Sequence, residues 1–192
     1  MREVPQTKGK LLPMSLSIGV FYGSTTGNTE SIAQKIKEQL GNKVSHLADV
    51  NVADPAELEQ YDLILLGVPT WDVGEMQIDW DDFIPRMEGL NLAGKKVAFF
   101  GVGDAEGYPD NFLDAVGMLW EAVKPLGGPQ LIGVWPTEGY SFNESRGLHD
   151  ETHFLGLGLD EDNEPELTDG RIQDWLTQIV KEAGISDKNA TN

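Results

Sequence analysis

This sequence predicts an open parallel α/β sheet with helices packed on both faces. Apolar, strand-like runs alternate with helical stripes along the chain, with no linker between them. One run, residues 62–68 (DLILLGV), is apolar from Leu63 onward, the pattern of a parallel strand buried on both faces. At 192 residues the chain has the length of one domain. That domain is expected over 14–186, between a flexible extension (1–13) and a flexible tail (187–192).

The first strand is 16–22 (LSIGVFY). Ile32, Ile36 and Leu40 then recur four residues apart on one helix face, and Gly41 ends that helix. A shorter second strand at 43–47 is followed by an acidic segment at 54–60 and by the third strand at 62–68. Residues 75–87 predict an irregular helix disturbed by Pro85. The fourth strand is 96–100. Phe112, Val116, Leu119 and Val123 form the next helical stripe, which Gly127–Gly128 should terminate. Two strand-like runs, 131–135 and 154–159, flank a polar, glycine-containing stretch at 136–153. The last helix, 168–183, turns Ile172, Leu176, Ile179 and Val180 inward. In such sheets ligands sit beyond the carboxyl ends of the strands, so the loops that follow the strands carry the functional reading.

Formal net charge is −18 with a pI near 4.3, and Arg2, Lys8 and Lys10 of the sparse basic residues lie in 1–13. A surface this acidic repels nucleic acid and anionic membranes and favours basic protein partners. There is no cysteine. That removes disulfides, thiolate catalysis, zinc–thiolate sites and iron–sulfur clusters, so redox chemistry would need another cofactor. No apolar run approaches the ~18 residues a membrane span needs. Residues 11–22 follow a basic start, but Pro13 interrupts them and no A-x-A site follows, which argues against a signal peptide. A cytoplasmic protein is expected.

The loop after the first strand, GSTTGNT (23–29), is rich in hydroxyls and has no lysine or arginine. It runs directly into a helix, whose amino end carries about half a positive charge. A triphosphate loop of the form G-x-x-x-x-G-K-[ST] is excluded, because Asn28 stands at the lysine position and the glycines are one residue too close. A terminal monophosphate fits; a Ser/Thr-rich turn with ordinary capping is the plainer alternative. The loop after the third strand, PTWDVGEM (69–76), puts Trp71 at a tip where it can stack on a planar ligand, with core packing as its alternative. After the fourth strand, GVGDAEGYPDN (101–111) starts like a dinucleotide fingerprint, but Glu106 stands where the third glycine belongs. It offers Tyr108 as a second aromatic wall and several backbone donors, or it is simply a Gly/Pro turn.

Taken together, GSTTGNTE, PTWDVGE and FGVGDAEGYPDNF resemble, in order and spacing, the motifs of the flavodoxins, over about residues 16–185. The stretch 136–153 resembles the insertion that divides the fifth strand in long-chain members, and LDEDN (159–163) resembles their next segment. The resemblance implies a five-stranded parallel sheet of order 2-1-3-4-5 and one non-covalently bound flavin mononucleotide (FMN). By position, Ser24, Thr25, Thr26, Asn28 and Thr29 would hold its phosphate, with Gly27 allowing close approach. Thr70 and Asp162 would contact the ribityl region, and Trp71 and Tyr108 would flank the ring. Asp104, Asn111 and Leu113 would offer backbone groups to the pyrimidine edge, and Pro69, Asp72, Val73, Gly74, Gly101 and Gly103 complete the binding loops. Asp72 stands where many relatives have asparagine.

The implied role is a low-potential one-electron carrier, with no catalytic residue and no metal, that shuttles electrons between redox proteins. A basic partner such as ferredoxin–NADP reductase and a monomeric state are expected. On this reading the missing cation has a physical reason, since a nearby lysine would stabilise the anionic reduced flavin. Two charges about 10 Å apart at an effective dielectric of about 20 interact by roughly 1.7 kcal/mol, and about 1.4 kcal/mol corresponds to 59 mV for one electron. The alternative is an FMN-dependent oxidoreductase of the quinone reductase type. Against it stand the lack of a second domain and of histidine or cysteine in the three loops. His149 and His153 form H-x3-H in a loop-like stretch without further ligands, and His46 reads as structural. Asp160, Asp162 and Glu164 begin like a calcium loop, but Pro165 and Arg171 replace its glycine and glutamate. Trp80, Trp120, Trp135 and Trp175 read as packing residues, and Tyr140 has no assigned role.

Overall fold

The structure is a computed structural model that describes residues 16–185. It begins with β1 (Ile18–Tyr22), α1 (Asn28–Leu40), β2 (Val44–Asp49), β3 (Leu63–Trp71) and β4 (Glu75–Met76). Next come α2 (Ile78–Arg86), β5 (Lys96–Val102), α3 (Asp114–Val123), β6 (Gln130–Leu131) and β7 (Trp135–Pro136). It ends with β8 (Leu148–Asp150), β9 (His153–Phe154), β10 (Gly156–Leu159) and α4 (Thr168–Ala183). The expected extension at 1–13 and tail at 187–192 lie outside the described residues.

Strand order in the main sheet is β2-β1-β3-β5-β10, with every pair along this path parallel. The fifth position is shared. β6 pairs with the start of β5 (Lys96↔Gln130) and β10 with its end (Leu159↔Val102). Between them the chain leaves the sheet and forms a separate antiparallel sheet of order β7-β9-β8. The sheet order and the split fifth strand therefore match the expectation.

Period-2 alternation sorts the strand side chains between two apolar layers. Val20, Leu63, Leu65, Ala98 and Phe100 pack with α1 and α4, against Ile32, Ile36, Ile172, Trp175 and Ile179. Phe21, Ile64, Leu66, Val97 and Phe99 pack on the other face with α2 and α3, against Trp80, Phe83, Val116 and Leu119. Each buried Leu, Ile, Val or Phe contributes about 1.5–3 kcal/mol relative to exposure. Trp80 and Trp175 are fully buried, and each donates its indole N–H to a backbone carbonyl, of Gly67 (2.9 Å) and Gly133 (2.8 Å) respectively.

Several boundaries differ from the sequence reading. Residues 75–87 are not one helix, because Glu75–Met76 pairs back on β3 as a hairpin (Thr70↔Met76, Trp71↔Glu75). Gln77 then starts α2 by accepting the Trp80 amide, and Pro85 sits in its last turn. The acidic segment is a 3-10 turn, Pro55–Gln60, opened by a reciprocal capping box between Asp54 and Glu57. α3 begins after Phe112, because Leu113 has φ 63°. It ends at Val123, before Pro125 rather than at Gly127–Gly128. The run 131–135 breaks at Gly133 (φ 72°), whose amide donates to Glu182 at 2.7 Å. The run 154–159 divides between the two sheets at Leu155, whose amide turns to the Gly147 carbonyl (2.7 Å).

Tyr140 supplies the polar centre of the insertion. Its hydroxyl donates to the Gly158 carbonyl (2.7 Å) and accepts from the Trp135 indole (2.8 Å), while Arg171 lies 4.1 Å over its ring. Burial pushes its pKa up to about 12 from 10.0. The stability this neutral phenol contributes is therefore complete below pH 10. It is lost as pH rises toward 12, because the unfolded chain ionises first. Tyr140→Phe is expected to cost about 1–3 kcal/mol at pH 7 by orphaning the Trp135 donor. That gap should narrow between pH 10 and 12 in urea unfolding, and a constant gap would contradict this account.

Candidate functional site

All four loops of interest leave the carboxyl ends of β1, β3, β5 and β10, and a chain of contacts joins them. The Gln77 amide donates to Thr25 Oγ1 (3.2 Å), linking the hydroxyl loop to α2. The Thr70 hydroxyl accepts from the Ala115 amide (3.2 Å), linking β3 to α3. The Asn163 side-chain amide donates to Asp104 Oδ1 (2.8 Å), and the Ala105 amide donates to Asp160 Oδ2 (2.9 Å). The loops are thus mutually braced.

The hydroxyl loop is shaped as an anion cradle. Ser24 Oγ accepts from the amides of Gly27 (3.2 Å) and Glu30 (3.3 Å), which closes the turn and leaves its own proton to donate. Gly27 has φ 93° and caps α1 without any side-chain hydrogen bond. A Cβ there would meet nothing within 4 Å, so the space over the helix terminus is open. The amides of Asn28 and Thr29 have no acceptor among the described residues. Thr25, Thr26 and Asn28 are exposed and Thr29 is buried beneath them. Gly23 is required for a different reason: a Cβ would lie 2.4 Å from Gln77 Oε1 and 2.6 Å from the Trp80 ring.

Trp71 ends β3 half-buried, after the half-buried Pro69 and Thr70. Its Nε1 is buried and has no hydrogen-bond partner, an unsatisfied donor of the kind that costs about 1–3 kcal/mol. Beyond it the hairpin tip is open to solvent: Asp72 is exposed and Val73 is 69% exposed. Asp72 (φ 41°) and Gly74 (φ 88°) are both left-handed. The left-handed conformation at Asp72 thus belongs to the turn shown here, where aspartate tolerates it better than a branched residue.

In the loop after β5, Asp104 organises its own turn. Its Oδ1 accepts from the Gly107 amide at 2.6 Å, and this bond, with help from Asn163 and Glu106, holds the carboxyl below the usual range. Tyr108 is 40% exposed, and among the described residues neither it nor Trp71 stacks on another ring. The Asn111 amide is used internally, on the Tyr108 carbonyl (3.1 Å), whereas the amides of Asp104 and Leu113 have no acceptor among the described residues. Leu113 is fully buried, so it can present only its backbone. Gly101 and Gly103 serve packing: added Cβ atoms would lie 2.5 Å from Val116 and 3.0 Å from Phe112. Asp162 is exposed at the turn after β10.

Sequence reasoning passed over three residues that hold these loops. Asp160, only 2% exposed, accepts from Ala105, Asp162 and Asn163, a role that neither its place in LDEDN nor its failed calcium-loop spacing assigns to it. Its signal was the D-x-D-N Asx-turn pattern directly after an apolar strand. Asn163 and the buried Gln77 are the other two, and no spacing rule marks them. Loop residues 23–31, 69–76, 101–113 and 159–164 contain no lysine or arginine. Among the described residues no group of three or more His, Asp or Glu side chains is placed to hold a metal ion.

A family model described as flavodoxin matches residues 20–175. A flavodoxin of Klebsiella pneumoniae is 47% identical over 174 residues, covering 90% of this chain and 98% of that protein. Flavodoxin 1 of Escherichia coli K12 is 47% identical over 169 residues, covering 88% and 96%. Among solved structures, a Fusobacterium nucleatum flavodoxin bound to flavin mononucleotide superposes with a TM-score of 0.80 at 32% identity, covering 87% of this chain and 98% of that one. The motif-bearing loops at one end of the sheet, and matches that run through nearly the whole described fold, place this chain in the flavodoxin family.

Proposed function

We propose that this protein is a low-potential one-electron carrier that shuttles electrons between redox proteins through one non-covalently bound FMN. The observation that carries this reading is the cation-free cradle of hydroxyls and free amides at the start of α1. The residues present fit FMN. When bound, FMN supplies the one-electron chemistry, and the chain's own groups bind it, orient it and set its electrostatic surroundings.

In this reading Ser24, Thr25, Thr26, Asn28 and Thr29 hold the phosphate with the helix amides, and Gly27 leaves room for its approach. Thr70 and Asp162 border the ribityl chain, Trp71 and Tyr108 cover the ring faces, and the amides of Asp104 and Leu113 meet the pyrimidine edge. Asn111, Pro69, Asp72, Val73, Gly74, Gly101 and Gly103 shape those loops. The split fifth strand supports assignment to the long-chain type. A monomer in the cytoplasm is part of the proposal; among the described residues no helix is long and apolar enough to cross a membrane.

The partner is a basic redox protein such as ferredoxin–NADP reductase. On α2, Trp80 faces the core while Asp81 and Asp82 are exposed, so these two carboxylates are the steering charges. Steering acts on association rate more than on final affinity and weakens as the Debye length shrinks to about 8 Å at physiological ionic strength. The second-order rate of electron transfer from such a reductase is expected to fall at high salt. Asp81→Asn with Asp82→Asn should flatten that dependence. A rate indifferent to salt would rule these charges out. Sustained turnover of NAD(P)H and quinone by the protein alone would favour the oxidoreductase alternative instead.

A further inference from the structure

We infer that Asp114 is a positioning residue for the ring end of the site: it pins the 72–74 hairpin tip, the 104–113 loop and the base of the insertion at one point. The inference rests on the FMN reading for its redox consequence, but not for its geometry. Asp114 is 5% exposed in the first turn of α3. Its Oδ2 accepts from the Asn111 side-chain amide (3.0 Å) and its Oδ1 from the backbone amide of Arg146 (2.7 Å). A Cβ on Gly74 would lie 2.6 Å from Oδ2 and 3.0 Å from Asn111 Nδ2, so the hairpin backbone is pressed against this carboxylate.

Two further observations separate this from an ordinary acid at a helix start. Among the described residues, the only non-glycine positions with positive φ are Asp72 (41°) and Leu113 (63°). Asp72 lies in the hairpin tip that Asp114 braces, and Leu113 directly precedes Asp114. At Leu113, whose residue type does not favour it, such backbone persists only where its surroundings hold it. The insertion is also fitted to the same point. A Cβ on Gly117 would be 2.1 Å from the Arg146 carbonyl, and one on Gly147 would be 2.7 Å from the Leu113 carbonyl. The insertion backbone therefore lies directly on α3 and on the left-handed residue. This gives residues 136–153 a role that their sequence did not show, as a strut behind the ring loops.

Asp114→Asn in the full chain tests this. An asparagine keeps the shape but not the double acceptor: its NH₂ faces either the fixed Arg146 amide, donor against donor, or Asn111, whose side-chain amide must then turn over, so one of the two contacts is lost or rebuilt in either case. In flavin-free protein, amide hydrogen exchange is expected to rise about tenfold together at Arg146, Thr70 and Met76, with Gly27 and Glu30 in the cradle unchanged. In FMN-loaded protein the more negative couple should become less negative by at least a threefold change in its equilibrium constant, about 28 mV at 59 mV per tenfold. Gly117→Ala keeps the carboxylate but displaces Arg146, and it should raise exchange at Thr70 and Met76 as well. It also decides the matter if Asp114→Asn does not fold. Faster exchange confined to Arg146, with both couples unmoved, would overturn the inference and leave Asp114 as an anchor of the insertion only. Failure of the wild-type protein to take up FMN would contradict the FMN reading, while the exchange result would still decide the positioning role.

Discussion

Trp71→Ala is expected to weaken FMN binding by about two to three orders of magnitude and to restore part of the flavin fluorescence. An indole face covering roughly 100 Å² of ring contributes about 2.5 kcal/mol at 25 cal/mol/Å². Stacking adds about 0.5–1.5 kcal/mol beyond area, for a total of roughly 3–4 kcal/mol at 1.4 kcal/mol per tenfold. The structure favours a large effect because Trp71 is only half-buried at the end of β3 and makes no ring contact among the described residues. Its loss should therefore remove ligand contacts more than core packing. Fluorescence-quenching titration of flavin-free protein measures both quantities. Affinity within threefold of wild type, with fluorescence still fully quenched, would show that Trp71 does not cover the ring.

Gly156→Ala should destabilise the flavin-free protein by about 3 kcal/mol, near the upper end for overpacking in a well-filled interior. The new methyl would lie 2.1 Å from the Phe99 carbonyl oxygen and 2.7 Å from its carbon. Both belong to the backbone of β5, the direct partner of Gly156 in the sheet. A side chain could swing aside; this carbonyl cannot move without breaking the register of the split fifth strand. The midpoint of urea unfolding is the measurement, and a loss under 0.5 kcal/mol would mean that β10 pairs with β5 less tightly than it does here. Because β10 feeds Asp160 and Asn163, flavin affinity should fall with stability.

The parts of the fold legible in the sequence were those set by short-range pattern. The apolar run of β3, the four-residue spacing in α1 and the stripe of α4 each needed only their own residues to announce a buried strand or an amphipathic helix. The elements that moved were decided by distant partners. Gly133 breaks its strand to meet Glu182 and Trp175, and Leu155 turns out of the sheet toward Gly147. Leu113 starts α3 late through a left-handed conformation that its residue type does not favour. Within the site, the hydroxyl loop and Trp71 were legible because their chemistry is unusual for strand ends. Gln77, Asp160 and Asn163 were not, since each acts by reaching a loop far away in the chain.

Redox titration of the protein loaded with FMN, followed optically, tests the central claim most directly. Acidic loops without a single lysine or arginine make added negative charge on the flavin unfavourable, while the hairpin at Asp72–Gly74 lies at its edge in the proposed reading. One FMN per chain is expected, titrating in two well-separated one-electron couples, the second far more negative than that of free FMN. Failure to bind FMN, or a single two-electron couple near that of the free flavin, would contradict the assignment of this chain as a one-electron carrier.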